Sequence, residues 1–218
     1  MPFKQKTIHF KAVQLHILTF DHYNPTDYIE LLTPQEFERF SGITSLVKQQ
    51  QFVATRYLRH QLVGLKHIQY TENGAPYIEN EAFISISHSN NMVGIATSKE
   101  FQVGLDIEMI SGKAKKVHLK FLNEEEQANF DCTSDKEMIK VWSAKETLYK
   151  MANRNGIDFK KELLLSPIDE TSLLGKIIHK SGVTNVEIHT FVYENFMITL
   201  NHSKVQHVQS PHQHSRDT

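Results

Sequence analysis

Short stretches in which apolar and polar residues alternate are interleaved along this chain with longer stretches of helical period. That mixture excludes an all-helical and an all-β fold. In Val13–Phe20 the residues Val13, Leu15, Ile17 and Thr19 share one side, the mark of a strand. Residues 82–88, 92–97 and 101–108 are strand-like and separated by Ser89-Asn90-Asn91 and Ser98-Lys99-Glu100, a spacing that predicts an antiparallel meander. Further strand-like runs lie at 176–179, 186–192 and 196–200. Thr33-Pro34-Gln35-Glu36 has the cap, proline and acid of a helix start. Asn73-Gly74-Ala75-Pro76 is a turn, and helices are predicted over 45–65, 123–130 and 134–152. No close repeat is visible. The layout is α+β, with halves at residues 1–101 and 102–204 and a polar tail at 205–218.

Composition narrows the function classes. The chain has 218 residues, with 24 Lys and Arg against 25 Asp and Glu, and a net charge of −1. That balance gives no footprint for bulk nucleic-acid or membrane-surface binding. Cys132 is the single cysteine, so an internal disulfide is excluded, and nothing around it resembles a nucleophile motif. Lys4, Lys6, Lys11 and Asp21 interrupt the apolar stretches near the N-terminus, and no run of about 18 apolar residues follows. The expectation is a cytoplasmic protein without signal peptide or membrane span. The tail holds a group of histidines between His202 and His214, whose spacing fits disorder better than a closed zinc site.

The stretch Val103-Gly104-Leu105-Asp106-Ile107-Glu108 carries the most chemistry. As a strand it turns Asp106 and Glu108 to the same face, about 6.5 Å apart at about 3.3 Å per residue. Two such carboxylates repel unless one keeps a proton or a hard divalent ion lies between them. Two acids merely exposed to water are the simpler reading of a lone D-x-E. On the helix from Trp142, the residues Trp142, Glu146 and Lys150 lie four apart on one face, and an ordinary surface pair explains Glu146 with Lys150. Lys145 falls within the apolar stripe and needs either a route to water or an anion. His88 ends a strand between Ser87 and Ser89. Lys48, Arg56, Arg59 and His60 form a second stripe on the first long helix, for which a solvated face is the simpler reading.

Together, Ser-His-Ser, the D-x-E strand and the Trp142-Ser143-Ala144-Lys145-Glu146-Thr147-Leu148-Tyr149-Lys150 helix resemble the 4′-phosphopantetheinyl transferase superfamily. The length and the two halves resemble its monomeric, Sfp-type branch. The resemblance spans roughly residues 32–151. It implies two similar α/β halves related by a pseudo-twofold, with the active site at their interface. It also implies Mg²⁺-dependent transfer of 4′-phosphopantetheine from coenzyme A to a serine of an apo acyl or peptidyl carrier protein, a post-translational modification that releases 3′,5′-ADP. By the resemblance, Asp106, Glu108 and Glu146 hold the metal, and Lys150 holds the pyrophosphate. His88 meets the phosphates, and Lys48 and Arg56 meet the 3′-phosphate. Glu146, or a water it orients, is also implied as the acceptor of the serine proton.

The family's F-(F/L)-S-x-x-E element falls on Phe121 to Glu126, with Asn123 for Ser, and Thr147 stands where Ala or Ser is usual. Ala75 stands where the family's turn has lysine, which removes one expected phosphate contact. Lys113, Lys115 and Lys116 follow the D-x-E strand and suit the acidic helix of a carrier protein, as they also suit a solvated loop. The alternative is a Mg²⁺-dependent phosphohydrolase of coenzyme A or a related nucleotide, using the same acids on water.

Overall fold

The structure is a computed structural model and describes residues 2–209. The chain begins with the hairpin of β1 (Phe3–His9) and β2 (Val13–Phe20), followed by α1 (Pro34–Ser41) and α2 (Leu46–Val63). A small hairpin, β3 (Gln69–Tyr70) and β4 (Pro76–Tyr77), precedes β5 (Phe83–Ser89) and β6 (Met92–Ser98). Next come β7 (Leu105–Met109), α3 (Lys113–Val117), α4 (Glu124–Asn129) and the long α5 (Asp135–Ala152). The chain then closes with β8 (Leu163–Pro167), β9 (Ser172–His179), β10 (Gly182–Tyr193), β11 (Phe196–Asn201) and β12 (Gln206–Gln209).

Two antiparallel sheets result. The first has the order β1-β2-β6-β5 and the second β7-β11-β10-β9-β8, with β12 added to β10. Apolar side chains pack in three layers. Leu18, Phe20, Val53, Leu58 and Ile95 fill the space between the first sheet and α2. Leu15, Ile17, Met92, Leu105, Ile107 and Ile198 join the two sheets, and Met138, Val141, Leu148, Leu173 and Ile188 join the second sheet to α5. The sheets are therefore the inner layers and the long helices the outer ones.

The starts of α1, α4 and α5 are closed by side chains, whereas those of α2 and α3 carry no side-chain cap. Thr33 with Glu36 and Asn123 with Glu126 are capping boxes, and Ser134 caps α5. Gly64, at φ 69°, terminates α2 two residues earlier than the sequence predicts, because only a residue without Cβ adopts that conformation readily.

Three expectations change. Residues 101–108 are not the third strand of a meander: residues 101–104 are irregular, and β7 belongs to the second sheet. It still lies beside β5, in parallel register, but the connection runs through side chains. The backbone N–H groups of Leu105, Ile107 and Met109 donate to the hydroxyls of Ser85, Ser87 and Ser89 at 3.0, 3.1 and 3.1 Å. The second half also extends past residue 204, since Gln206–Gln209 forms a strand where the sequence predicts the start of a disordered tail. The rest of that expected tail, 210–218, lies outside the described residues. The third change is β1, whose polar face hid it from the periodicity analysis.

Ser85 is buried and reaches only structural partners, so it isolates the strength of this seam. Ser85→Ala leaves the Leu105 N–H buried without an acceptor, which costs about 1–3 kcal/mol. Urea denaturation should show the lowered midpoint. An unchanged midpoint would mean that the two sheets do not need this bond.

Candidate active site

The acids of β7 face α5. Gly104, just before the strand, is what permits the approach: a Cβ there would lie 2.6 Å from Met151 Cγ and 2.9 Å from the Thr147 carbonyl. Asp106 is buried and held from three sides. Ser87 Oγ donates to its Oδ1 at 3.0 Å, Lys150 Nζ donates to the same oxygen at 2.9 Å, and Ser143 Oγ donates to Oδ2 at 2.8 Å. Trp142 Nε1 donates to Glu108 Oε1 at 3.0 Å. Glu146 receives no hydrogen bond from the described residues, and like Glu108 it is partly exposed, whereas Asp106 is buried.

The electrostatics follow from this arrangement. Burial pushes the Glu146 carboxyl up to about 7, the Asp106 and Glu108 charges push the same way, and Lys150 opposes them. Burial also raises Glu108, again aided by Asp106, while the Trp142 bond pulls it down. Three carboxylates thus face one ammonium, and the surplus negative charge is met by retaining a proton on Glu146 near neutral pH.

Lys150 does not pair with Glu146 one helical turn away. Its ammonium donates instead to the Leu105 carbonyl at 2.7 Å, to Ser87 Oγ at 3.1 Å and to Asp106. Lys150 also lines a cleft of about 920 Å³ whose other walls come from α2, the β3–β4 hairpin and β5. His88, Lys48 and Arg56 line that cleft as well. The His88 ring is exposed at its rim, and the surrounding protein mass, followed by the Lys150 charge, lowers its pKa. Lys48 is exposed. Arg56 is not solvated: its guanidinium lies 3.6 Å from the Phe52 ring centroid, and Nε donates to Glu36 Oε1 at 3.3 Å. Its Nη2 donates to Tyr70 Oη at 3.4 Å on the cleft wall. Arg59, on the same stripe, is wholly buried against Glu36 and two carbonyls.

Several residues escaped the sequence analysis. Arg39, Lys99 and Arg154 bring further positive charge to the cleft wall. No spacing announces them, since they come from three separate segments. Ser143 had a signal: with Glu146 and Lys150 it forms a polar i, i+3, i+7 stripe on a helix whose other face is apolar. Glu126 lies apart from the three acids, buried against Lys145, whose ammonium also donates to the Phe121 and Phe159 carbonyls. That ion pair is the anion Lys145 needs.

Three oxygen donors of this kind suit a hard divalent ion. Among the described residues, however, no three Asp, Glu, His or Cys side chains stand as a finished metal cage. Lys150 and Trp142 occupy two of the carboxylates, and Glu146, without a partner, is the one ready to turn.

Residues 102–200 match the family model of the 4′-phosphopantetheinyl transferase superfamily. No curated protein matches the chain. The match includes Asp106, Glu108, Glu146 and Lys150 and leaves His88, Lys48 and Arg56 outside it. It supports phosphopantetheine transfer as the general chemistry of this segment and lends nothing to the phosphohydrolase alternative. No helix among the described residues is long and apolar enough to cross a membrane.

The raised Glu146 carboxyl has a consequence for stability. A carboxyl with a higher pKa in the folded chain favours folding while protonated, and that advantage is lost as pH rises from about 4.5 toward 7. With chelator present, Glu146→Gln should therefore melt a few degrees above the parent at pH 8, and the two should converge near pH 4. Identical melting temperatures at pH 8 would place Glu146 in a solvated setting.

Proposed function

We propose that the chain is a cytoplasmic, monomeric phosphopantetheinyl transferase of the Sfp type, built from two similar halves related by a pseudo-twofold with the site between them. It moves 4′-phosphopantetheine from coenzyme A to a serine of an apo acyl or peptidyl carrier protein. The observation that carries this reading is the junction at Lys150, where a cation-lined cleft of nucleotide size meets the acids of β7 and α5. The cleft's cations suit a ligand with several phosphates, and its apolar wall suits an adenine and a pantetheine arm.

In this reading the serine oxygen attacks the phosphorus that carries pantetheine. The bond from that phosphorus to the bridging oxygen breaks, and 3′,5′-ADP leaves with the electron pair. Glu146, which receives no hydrogen bond from the described residues, accepts the serine proton, directly or through a water it orients. Lys150 meets the charge that grows on the leaving phosphate. His88, Lys48 and Arg56 hold the remaining phosphates, with Arg56 fixed in direction by Glu36 and Phe52. Asp106, Glu108 and Glu146 would hold Mg²⁺, which supplies neutralisation of the pyrophosphate charge. Lys113 and Lys116 on α3 are exposed beside Val117 and Leu119, a basic and apolar face suited to the acidic helix of a carrier.

Incubation with coenzyme A, Mg²⁺ and a panel of apo-carriers should add one phosphopantetheine to a carrier, seen as a mass gain. Asp106→Ala should abolish the gain while the protein stays folded. Lys150→Ala should lower kcat about 10²–10³-fold, the scale of a lost charge-stabilising donor, and should also lower the melting temperature, because it leaves the buried Asp106 carboxylate without its cation. Release of 3′,5′-ADP without any carrier would favour hydrolysis instead. A Lys150→Ala enzyme within threefold of the parent would remove Lys150 from the chemistry.

A further inference from the structure

Three buried hydroxyls form a chain that ends on Asp106. Ser143 Oγ lies 2.8 Å from Asp106 Oδ2 and 2.9 Å from Thr199 Oγ1, and Thr199 Oγ1 lies 2.7 Å from Thr147 Oγ1. Ser143, Thr147 and Thr199 have no exposed surface, and none of them lines the cleft. Thr199 is the residue of β11 directly opposite Asp106 in the β7–β11 register.

Counting protons favours one direction for this chain. The Asp106 carboxylate is already paired with Lys150 and only accepts, so Ser143 spends its single proton on Oδ2. The Ser143–Thr199 contact then needs the Thr199 proton, and the Thr199–Thr147 contact needs the Thr147 proton. Thr147 shares that proton with the Thr199 carbonyl at 3.1 Å. In this order the three short contacts each receive a proton and only the longer contact to the Thr199 carbonyl is shared, whereas the reverse order leaves Ser143–Thr199 with at most a share of the Thr199 proton. All three hydroxyl dipoles therefore point toward Asp106 and reinforce one another. Without the donor behind it, the Ser143 hydroxyl is free to turn back to a carbonyl of its own helix, the usual alternative for serine.

We propose that Thr199 is a positioning residue: acting through Ser143, and held in turn by Thr147, it sets the Asp106 carboxylate for the bound ion and the reacting phosphate. This rests on the transfer reading above. The test uses the full chain with Thr199→Val, which keeps the shape, Thr199→Ser, which keeps the hydroxyl, and Ile198→Val as a packing control on the same strand. Thr199→Val should raise the half-saturating Mg²⁺ concentration for carrier modification about tenfold, as for other residues that orient a metal ligand, and change kcat at saturating Mg²⁺ less than about twofold. Thr199→Ser should return the Mg²⁺ dependence to within about twofold of the parent, and Ile198→Val should lower stability without moving it. A second readout needs no metal and no substrate. In urea denaturation, Thr199→Val combined with Asp106→Ala should shift the unfolding equilibrium about fivefold less than the product of the single effects, as coupled partners do. A Mg²⁺ dependence within twofold of the parent in Thr199→Val, or independent effects in the cycle, overturns the proposal. A parent chain that modifies no carrier overturns the transfer reading instead, and the cycle still decides whether the hydroxyl chain grips Asp106.

Discussion

The seam between β5 and β7 is the contact on which the site depends. β7 has one neighbour bound through backbone bonds, β11, and its other edge would expose buried N–H groups that must find acceptors. Ser85, Ser87 and Ser89 supply them at every second position, so one face of β5 becomes a row of acceptors. Ser87 does this while also donating to Asp106 and accepting from Lys150. The bond that aligns the sheets thus also aligns the catalytic candidates. A one-residue slip along this seam would turn the serines away from β7 and His88 toward it.

A second constraint appears twice along the chain. Glu36 and Glu126 each close a capping box at the third position of a short helix and are then buried. Each takes cations from the long helix that follows, Arg56 and Arg59 in one case and Lys145 in the other. Removing one partner of such a pair strands a buried charge, at a cost of about 3–5 kcal/mol. The consequence for the cleft is direct. Arg59 is consumed by this device, whereas Arg56 is anchored by it and still reaches the wall at Tyr70.

Periodicity and cap chemistry made β2, α2, α5 and the Thr33–Glu36 capping box legible, because each depends on residues close in sequence. The D-x-E strand and the Trp142 helix were legible as a pair of motifs, and residues 102–200 match the family they resemble. What could not be read depends on distant partners. A serine row reads as an ordinary polar strand until β7 is laid beside it. Lys150 reads as the i+4 partner of Glu146 until Asp106 is found closer to its ammonium. β12 lies in a polar stretch with almost no apolar anchors and becomes a strand because Val205 packs on the core and β10 is long enough to offer an edge.

The three acids are unequal, and their inequality follows from their partners. Asp106 is fixed by Ser87, Ser143 and Lys150, so moving it would break three bonds at once. Among the described residues Glu108 is tied by the Trp142 indole alone. Glu146 has no such tie among the described residues, and it carries the raised pKa of about 7 that burial and its two acidic neighbours impose. Displacing Asp106 would disturb a network that also aligns the sheets. Turning or protonating Glu146 breaks no hydrogen bond among the described residues. The fold therefore concentrates rigidity at Asp106 and leaves proton traffic to Glu146, four residues from the lysine that faces the cleft.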